Sequence, residues 1–352
     1  MAAGHRPGAV SVPKGGWEPG VRRGGRAGPG FTPGPARWGT QAGEVLVELG
    51  ATAGADVEAG PRRASMRQQA VTEHILLLAD RTGHRAALVD AADATVTTWP
   101  QFAHTVRAAA CGLSRRGLRD ADTVGVFVQD AASHAVAVHA VRAAGAVAAP
   151  VQPAATVADA AAHLKACRAR LLITSAGLAE VAVQAAERSW VRQVFAFGEA
   201  AGTTPFGSLL GAAEHGHHHH APVPLTPLAP SGPDGGTWPT TGAVAEVILD
   251  RAGLRADATG FSSANSAGPG RDRSELESWL TCRDVVVAGP PCGDPDAYTA
   301  LLDLALAAGA TIVAAQAGHI TAAVRAYQGT AAIVPRSTAI PGLPAERIVT
   351  VG

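Results

Sequence analysis

From about residue 70 the chain alternates two patterns. Short apolar runs of strand length are Ala87–Val89, Val124–Val128, Ala146–Val151, Leu171–Thr174 and Val194–Phe197. Between them lie longer Ala-rich stretches whose apolar positions recur at helical spacing: Phe102–Arg116, Ser133–Ala144, Val157–Cys167 and Ala176–Glu187. A loop-rich interval follows, with one helix-like stretch at Val244–Leu254. The alternation then returns with strands at Asp284–Ala288, Thr311–Ala315, Ala331–Val334 and Arg347–Val351, and helices at Ala297–Ala308 and Ile320–Gln328. Strands alternating with helices of this length predict βαβ units. The expected fold class is therefore α/β, with parallel or mixed sheets flanked by helices. Gly112, Gly117 and Gly145 fall near predicted helix ends, where glycine tolerates the left-handed cap geometry.

Composition divides the chain further. Residues 1–65 are so rich in Gly and Pro, without a collagen period, that they predict a disordered arm. Met66 is the only methionine after Met1, so two readings stand side by side: translation starts at Met66 and 1–65 is upstream sequence, or 1–65 is a genuine arm. The expected organisation is an arm at 1–65, a first α/β subdomain at 66–210, a His/Pro/Gly-rich linker at 211–240, and a second subdomain at 241–352. The chain ends at Gly352, directly after an apolar run, which reads as a stop within a domain.

The 29 basic and 29 acidic residues balance, so net charge argues for neither nucleic acid nor membrane as a partner. No apolar run reaches the length of a membrane span, and no apolar signal-peptide core is present. The four cysteines, Cys111, Cys167, Cys282 and Cys292, form no CxxC pair; this speaks against a zinc module or disulfide framework and fits a reducing cytoplasm. Only two of the 29 basic residues, Lys14 and Lys165, are lysines. Chemistry that requires lysine has almost none to draw on.

Several constellations are candidates for chemistry. His215, His217, His218, His219 and His220 cluster in the linker, but consecutive imidazoles without Cys or carboxylate companions do not make a shaped metal site. Gly260-Phe261-Ser262-Ser263-Ala264 is close to a nucleophile elbow, with Asp303 and His319 as conceivable partners for a hydrolase using Ser262. Its last position is Ala and no strand leads into it, so a surface loop is the simpler reading. His134, His139 and His163 lie on predicted helices with no evident partner for general-base work. No G-x-G-x-x-G follows a strand, so a dinucleotide site has no support.

The order of segments carries a resemblance. Thr98-Trp99-Pro100-Gln101-Phe102, Ala109–Gly117, Asp122–Val128, His139–Val147 and Pro150-Val151-Gln152-Pro153 follow one another as in the N-terminal part of AMP-forming acyl- and aryl-CoA ligases. Leu301–Val313 and Arg347–Gly352 are similar to later segments of the same family. The coumarate–CoA and fatty-acyl-CoA ligase branch is the most alike. The resemblance implies two sheets flanked by helices with an active site at their junction. It also implies ATP-dependent formation of an acyl-adenylate, followed by transfer to CoA, with ATP/AMP, CoA and Mg as the family's cofactors and an acyl or aryl carboxylate as ligand.

That chemistry needs donors and cations around phosphate, which the family supplies in a Gly/Ser/Thr-rich loop closed by a lysine. The matching segment here is Thr237–Val247. Thr240, Thr241 and Gly242 keep the family's T-T-G and are the candidate phosphate-loop residues. Trp238 and Pro239 replace its Ser and Gly, Ala245 stands where the lysine belongs, and Glu246 replaces a glycine. An alternative frame, Ser231–Gly235, also lacks a downstream lysine, and by composition alone the segment is a linker. Asp294 occupies the position of the family's gating His, while Pro291 is retained. The family's adenine-contacting segment, ribose-binding aspartate and small C-terminal domain have no counterpart before Gly352. The resemblance therefore predicts a ligase-like protein with impaired or lost catalysis. The alternative is a non-catalytic partner that docks on an intact ligase.

Overall fold

The computed structural model describes residues 60–211, 280–335, 340–344 and 347–351, with side chains from Gln68 onward. Helix α1 (Gly60–Thr82) starts within the stretch whose composition predicts no structure. It leads into β1 (Ala86–Asp90) and β2 (Val96–Thr98), an antiparallel pair. Asp90 and Asp93 shape the connecting turn by accepting from the backbone of Ala92 and Thr95, each at 2.8 Å.

Thr98 ends β2 and opens α2 (Trp99–Arg115) with a reciprocal capping box to Gln101. Its hydroxyl accepts from the Gln101 backbone at 3.4 Å, and the Gln101 side chain accepts from the Thr98 N–H at 2.8 Å. The helix therefore begins before Phe102, where the apolar periodicity begins. A capping Thr and a first-turn Pro stop the chain from helical continuation upstream without contributing to that periodicity.

Then follow β3 (Thr123–Phe127), α3 (Ala131–Ala143), β4 (Val147–Pro150), α4 (Val157–Ala166), β5 (Leu171–Ser175), α5 (Ala179–Glu187), β6 (Gln193–Phe197) and β7 (Thr204–Pro205). After the interval come β8 (Val285–Ala288), α6 (Pro295–Ala307), β9 (Thr311–Ala314), α7 (Ile320–Ala326), β10 (Ala331–Pro335) and β11 (Ile348–Val351). One sheet has five parallel strands in the order β4-β3-β5-β6-β7. The other has six, ordered β11-β10-β8-β9-β1-β2, and is parallel except at β1–β2. The α/β class with mixed and parallel sheets is thus the observed architecture. The stretch 66–210 supplies strands to both sheets, because β1 and β2 join the strands that follow residue 284.

Helices α1, α2, α3 and α6 lie between the sheets. In the core they form, Val124, Val126, Leu171 and Ile173 of one sheet face the helices from one side, and Leu88, Val286, Ile312 and Ile333 of the other face them from the opposite side. The alternate residues point outward: Phe127 and Leu172 pack with α4 and α5, and Val313, Ala332 and Val334 pack with α7. Burial on both faces explains why these strands read as continuous apolar runs rather than as alternation. β2 and β7, three and two residues long, are too short to show a period at all.

Gly117 and Gly145 do adopt the left-handed conformation, at φ +83° and +76°. Gly112 is a correction. It sits inside α2, and a Cβ there would meet the carbonyl oxygen of Leu209 at 2.2 Å. It is glycine so that the helix can approach the short turn Phe206–Leu209 closely.

A polar cluster sits in the middle helical layer. Arg142 of α3 donates from Nη1 to Asp303 Oδ2 of α6 at 2.7 Å, and the two side chains are 1% and 6% exposed. His139, one helical turn before Arg142, places Nε2 3.4 Å from Asp303 Oδ1 and Nδ1 2.9 Å from the Thr72 hydroxyl of α1. A neutral ring protonated at Nε2 satisfies both neighbours: it points its N–H at the carboxylate and accepts from Thr72. His134 Nε2 meets Thr299 Oγ1 at 2.8 Å, and that hydroxyl donates to the Pro295 carbonyl. The Thr299 hydrogen therefore points away, and His134 donates. Burial pushes His134 down to about 3 and His139 down to about 4, with Asp303 opposing the shift and Arg142 adding to it. Both imidazoles are neutral at neutral pH.

Three outcomes follow from this packing. Gly112→Ala is expected to cost about 1–3 kcal/mol through overpacking against backbone that cannot rotate away, read as a lower denaturation midpoint. Asp303→Ala leaves Arg142 charged and unpaired in the core and is expected to cost about 3–5 kcal/mol by the same measurement. The histidines fix the pH dependence. An unfolded histidine titrates near pH ~6.5, well above the folded values, so the unfolded chain binds more protons in between. Stability from this source is complete above pH ~6.5 and declines as the pH falls towards about 4 and about 3. The midpoint is expected to drop on going from neutral to mildly acidic buffer, and His134→Gln to flatten that slope.

Candidate functional site

In open parallel sheets the loops leaving the carboxyl ends of the strands form the natural ligand crevice. Here the loops after β3 and β4 of one sheet meet the loop after β8 of the other. The Gln152 amide donates to the Gly293 carbonyl across that junction. Cys292 Sγ approaches the Val351 carbonyl at 3.7 Å. Tyr298 of α6 is fully buried and donates to the Gly289 carbonyl at 2.7 Å, which pins the loop 289–294 from below. The Gln129 backbone donates to Ser175 Oγ at 3.1 Å, tying the ends of β3 and β5.

Two carboxylates organise this rim. Asp130 caps α3 by accepting from the Ser133 N–H at 2.7 Å. Asp294 caps α6 by accepting from Asp296 and Ala297 at 2.8 and 3.3 Å. Both stand at helix N-termini, where negative charge is favourable. Asp90 and Asp93 after β1 and Glu199 after β6 add to them. Burial raises the Asp90 carboxyl above its ordinary value, and the charges of Asp93 and Asp130 push the same way against a hydrogen bond from Ala92. Burial also raises the Cys292 thiol. It holds the Tyr298 hydroxyl well above its usual range, with Cys292 and Asp130 adding to the effect. Neither group is a ready nucleophile.

The described residues directly after β1, β3, β4, β6, β8 and β9 include no lysine or arginine; Arg336, directly after β10, lies outside the described residues. A phosphate ester would meet carboxylates, amides and a neutral thiol there, so these residues do not by themselves fit ATP, AMP or CoA. No group of three or more His, Cys, Asp or Glu placed to hold a metal ion occurs among the described residues.

The residues singled out from sequence fare unequally. Thr240, Thr241 and Gly242, the alternative frame Ser231–Gly235, the cluster His215–His220 and Ser262 lie outside the described residues. His134 and His139 are sealed in the helical layer and reach no open surface. Asp303 is engaged by Arg142, and His319 is exposed in the turn after β9, so the structure does not bring them together. Asp294, at the family's gating position, is exposed and occupied as a cap; Pro291 is buried. Lys165 and His163 are exposed on α4, and Lys165 lies near its C-terminal end, at the sheet edge opposite the rim. Asp90 and Asp130 were not anticipated. Their signal was available as an acidic residue within two positions of the end of an apolar strand run, which in the case of Asp130 also precedes a helix.

Residues 78–221 match the family model described as AMP-binding enzyme. No curated protein matches the chain. Among solved structures, a long-chain-fatty-acid-CoA ligase from Archaeoglobus fulgidus superposes with TM-score 0.52 at 16% identity, covering 75% of this chain and 51% of that one. A benzoate CoA ligase from Burkholderia xenovorans gives 0.52 at 19%, covering 80% and 54%. The amide bond synthetase McbA from Marinactinospora thermotolerans gives 0.51 at 17%, covering 80% and 53%. The chain thus spans about half the length of these relatives. At residues 78–221 the chain matches the AMP-binding enzymes in sequence, and its described structure has the fold of the N-terminal domain of adenylate-forming ligases.

Proposed function

We propose that the chain acts on, or holds, an acyl or aryl carboxylate in the manner of the AMP-forming acid ligases, with nucleotide binding weakened and adenylation impaired. The observation that carries this reading is the AMP-binding match over residues 78–221, on a two-sheet fold whose strand ends meet at one junction. In the intact reaction the carboxylate attacks the α-phosphate of ATP, pyrophosphate leaves, and CoA thiol then displaces AMP. Each step gathers negative charge on phosphate, which cations and donors must meet.

The impairment rests on charge. The loop 237–247 has Ala245 in place of a lysine and Glu246 in place of a glycine. The rim adds five carboxylates, at Asp90, Asp93, Asp130, Glu199 and Asp294, and no described cation. Near a protein surface a single charge pair at contact distance is worth about 4 kcal/mol before desolvation. Exchanging one attraction for one repulsion therefore suffices to lower nucleotide affinity by orders of magnitude. The same balance argues against turnover, and a non-catalytic role beside an intact ligase as protein partner is the alternative reading; the carboxylate ligand rests on the AMP-binding match and not on the charge of the rim. Two of the solved structures named above are by their descriptions ligases of a long-chain fatty acid and of benzoate, so the acid here is assigned only as acyl or aryl.

Calorimetric titration of the full chain with ATP and with a non-hydrolysable acyl-adenylate mimic tests this reading, together with acid-dependent ATP–pyrophosphate exchange. The chain is expected to bind the mimic more tightly than ATP and to show no exchange. The double substitution Ala245→Lys, Glu246→Gly is expected to tighten ATP binding by about tenfold or more. Exchange by the unaltered chain would overturn the impairment. Failure of both proteins to bind either ligand would overturn the ligase-derived reading.

A further inference from the structure

The edge of the five-stranded sheet opposite the rim has a different character. Two segments run side by side into paired strands there. Lys165–Arg170 joins α4 to β5, and Arg188–Arg192 joins α5 to β6, with the Arg192 N–H donating to the Arg170 carbonyl at 2.8 Å and Leu171 in register with Gln193. Helices α4 and α5 pack together, so their C-terminal ends arrive at the same edge. Lys165, Arg168, Arg188 and Arg192 are all exposed, and no hydrogen bond or ion pair engages their side chains among the described residues. Arg170 pairs with Asp122 at 3.6 Å, and Glu187 directly precedes Arg188, so two acidic residues stand beside these segments. Trp190, between Arg188 and Arg192, is 60% exposed.

Cations at helix C-termini complement the helix dipole, and that alone accounts for Lys165 and Arg188. It does not account for Trp190. Leu77 and Trp190 are the exposed large hydrophobics among the described residues, and Leu77 lies on α1. A protein interface needs a buried centre of several apolar anchors, and this edge offers one. An anionic bilayer asks for less: a local group of Lys and Arg, and an amphipathic ring that settles at headgroup level. Neighbouring strands are about 4.8 Å apart, so the four cations lie within roughly one or two Debye lengths of one another and act on the same surface.

We propose that the edge formed by Lys165, Arg168, Arg188, Trp190 and Arg192 docks the protein reversibly on anionic lipid headgroups. The chain's balanced net charge hides this local excess. Each cation near such a surface contributes about 1 kcal/mol, or about fivefold in partitioning.

Co-sedimentation of the full chain with vesicles of phosphatidylcholine plus phosphatidylserine, against phosphatidylcholine alone, tests the proposal. Binding is expected only with phosphatidylserine, and to weaken as salt rises. Arg188→Glu with Arg192→Glu is expected to reduce partitioning at least about 25-fold, and Trp190→Ala several-fold. All three residues are exposed, and an unchanged thermal transition by circular dichroism shows that each variant folds. Absence of phosphatidylserine-dependent binding overturns the proposal, as does binding that these substitutions leave unchanged. Binding to soluble polyglutamate but not to vesicles also overturns it, and assigns the edge to an acidic protein.

Discussion

The ion pair between Arg142 and Asp303 is the constraint on which the rest of the arrangement turns. A buried charge is tolerated only with its partner in place, so α3 and α6 must keep one spacing and one rotation relative to each other. These helices follow β3 and β8, strands of different sheets. Fixing them fixes the separation of the two sheets. It also fixes the loops that enter the helices, Gln129–Asp130 and Gly289–Asp294, which are the walls of the rim. His139 and Thr72 extend the same constraint to α1. The polar cluster is therefore remote from solvent and yet sets the geometry of the surface on which a ligand would act.

That separation of roles explains why the residues with the most chemical potential are not those at the candidate site. Two histidines, a carboxylate and a guanidinium lie together, but burial holds the imidazoles neutral and the ion pair occupies the charges. At the rim the groups are carboxylates, two of which, Asp130 and Asp294, are fixed as helix caps. A row of carboxylates is a poor phosphate cradle. Stabilising a phosphoryl transition state requires cations that the described loops do not supply.

Most of the fold was legible in the chain because the sheets are covered on both faces. Val124–Val128, Leu171–Thr174 and Thr311–Ala315 are uninterrupted apolar runs for that reason, and their order with Ala-rich helices implied parallel pairing. What escaped has equally physical causes. β2 and β7 are too short to carry a period. Thr98 and Gln101 start α2 through side-chain hydrogen bonds that hydrophobic patterning does not register. Gly112 reads as a helix end because glycine serves both turns and close contacts, and its role is decided by Leu209, far away in sequence. The pairing of His139 and Arg142 with Asp303 was illegible for the same reason: a helical spacing shows that two groups share a face, but not what the face meets. The phosphate-loop residues Thr240, Thr241 and Gly242 lie outside the described residues, so that part of the reading rests on sequence alone.

The chain's even balance of charge conceals an ordered asymmetry. Parallel βα units place their strands' carboxyl ends, and the helix N-termini that follow, at one end of the sheet and the helix C-termini at the other; α2, which follows the antiparallel β2, is the exception. Acids at the first edge and cations at the second are what the helix dipoles favour, so the asymmetry alone implies no ligand. Its departures from that rule are more informative. A phosphate-handling rim would override the dipole preference with at least one cation, and among the described residues this rim does not. The opposite edge obeys the preference and then adds an indole standing largely in water, which no helix dipole requires. Function is best sought where the charge pattern fails to follow from the fold, and in this protein those places are the junction of the two sheets, where the described strand-end loops hold carboxylates and no cation, and the exposed ring of Trp190.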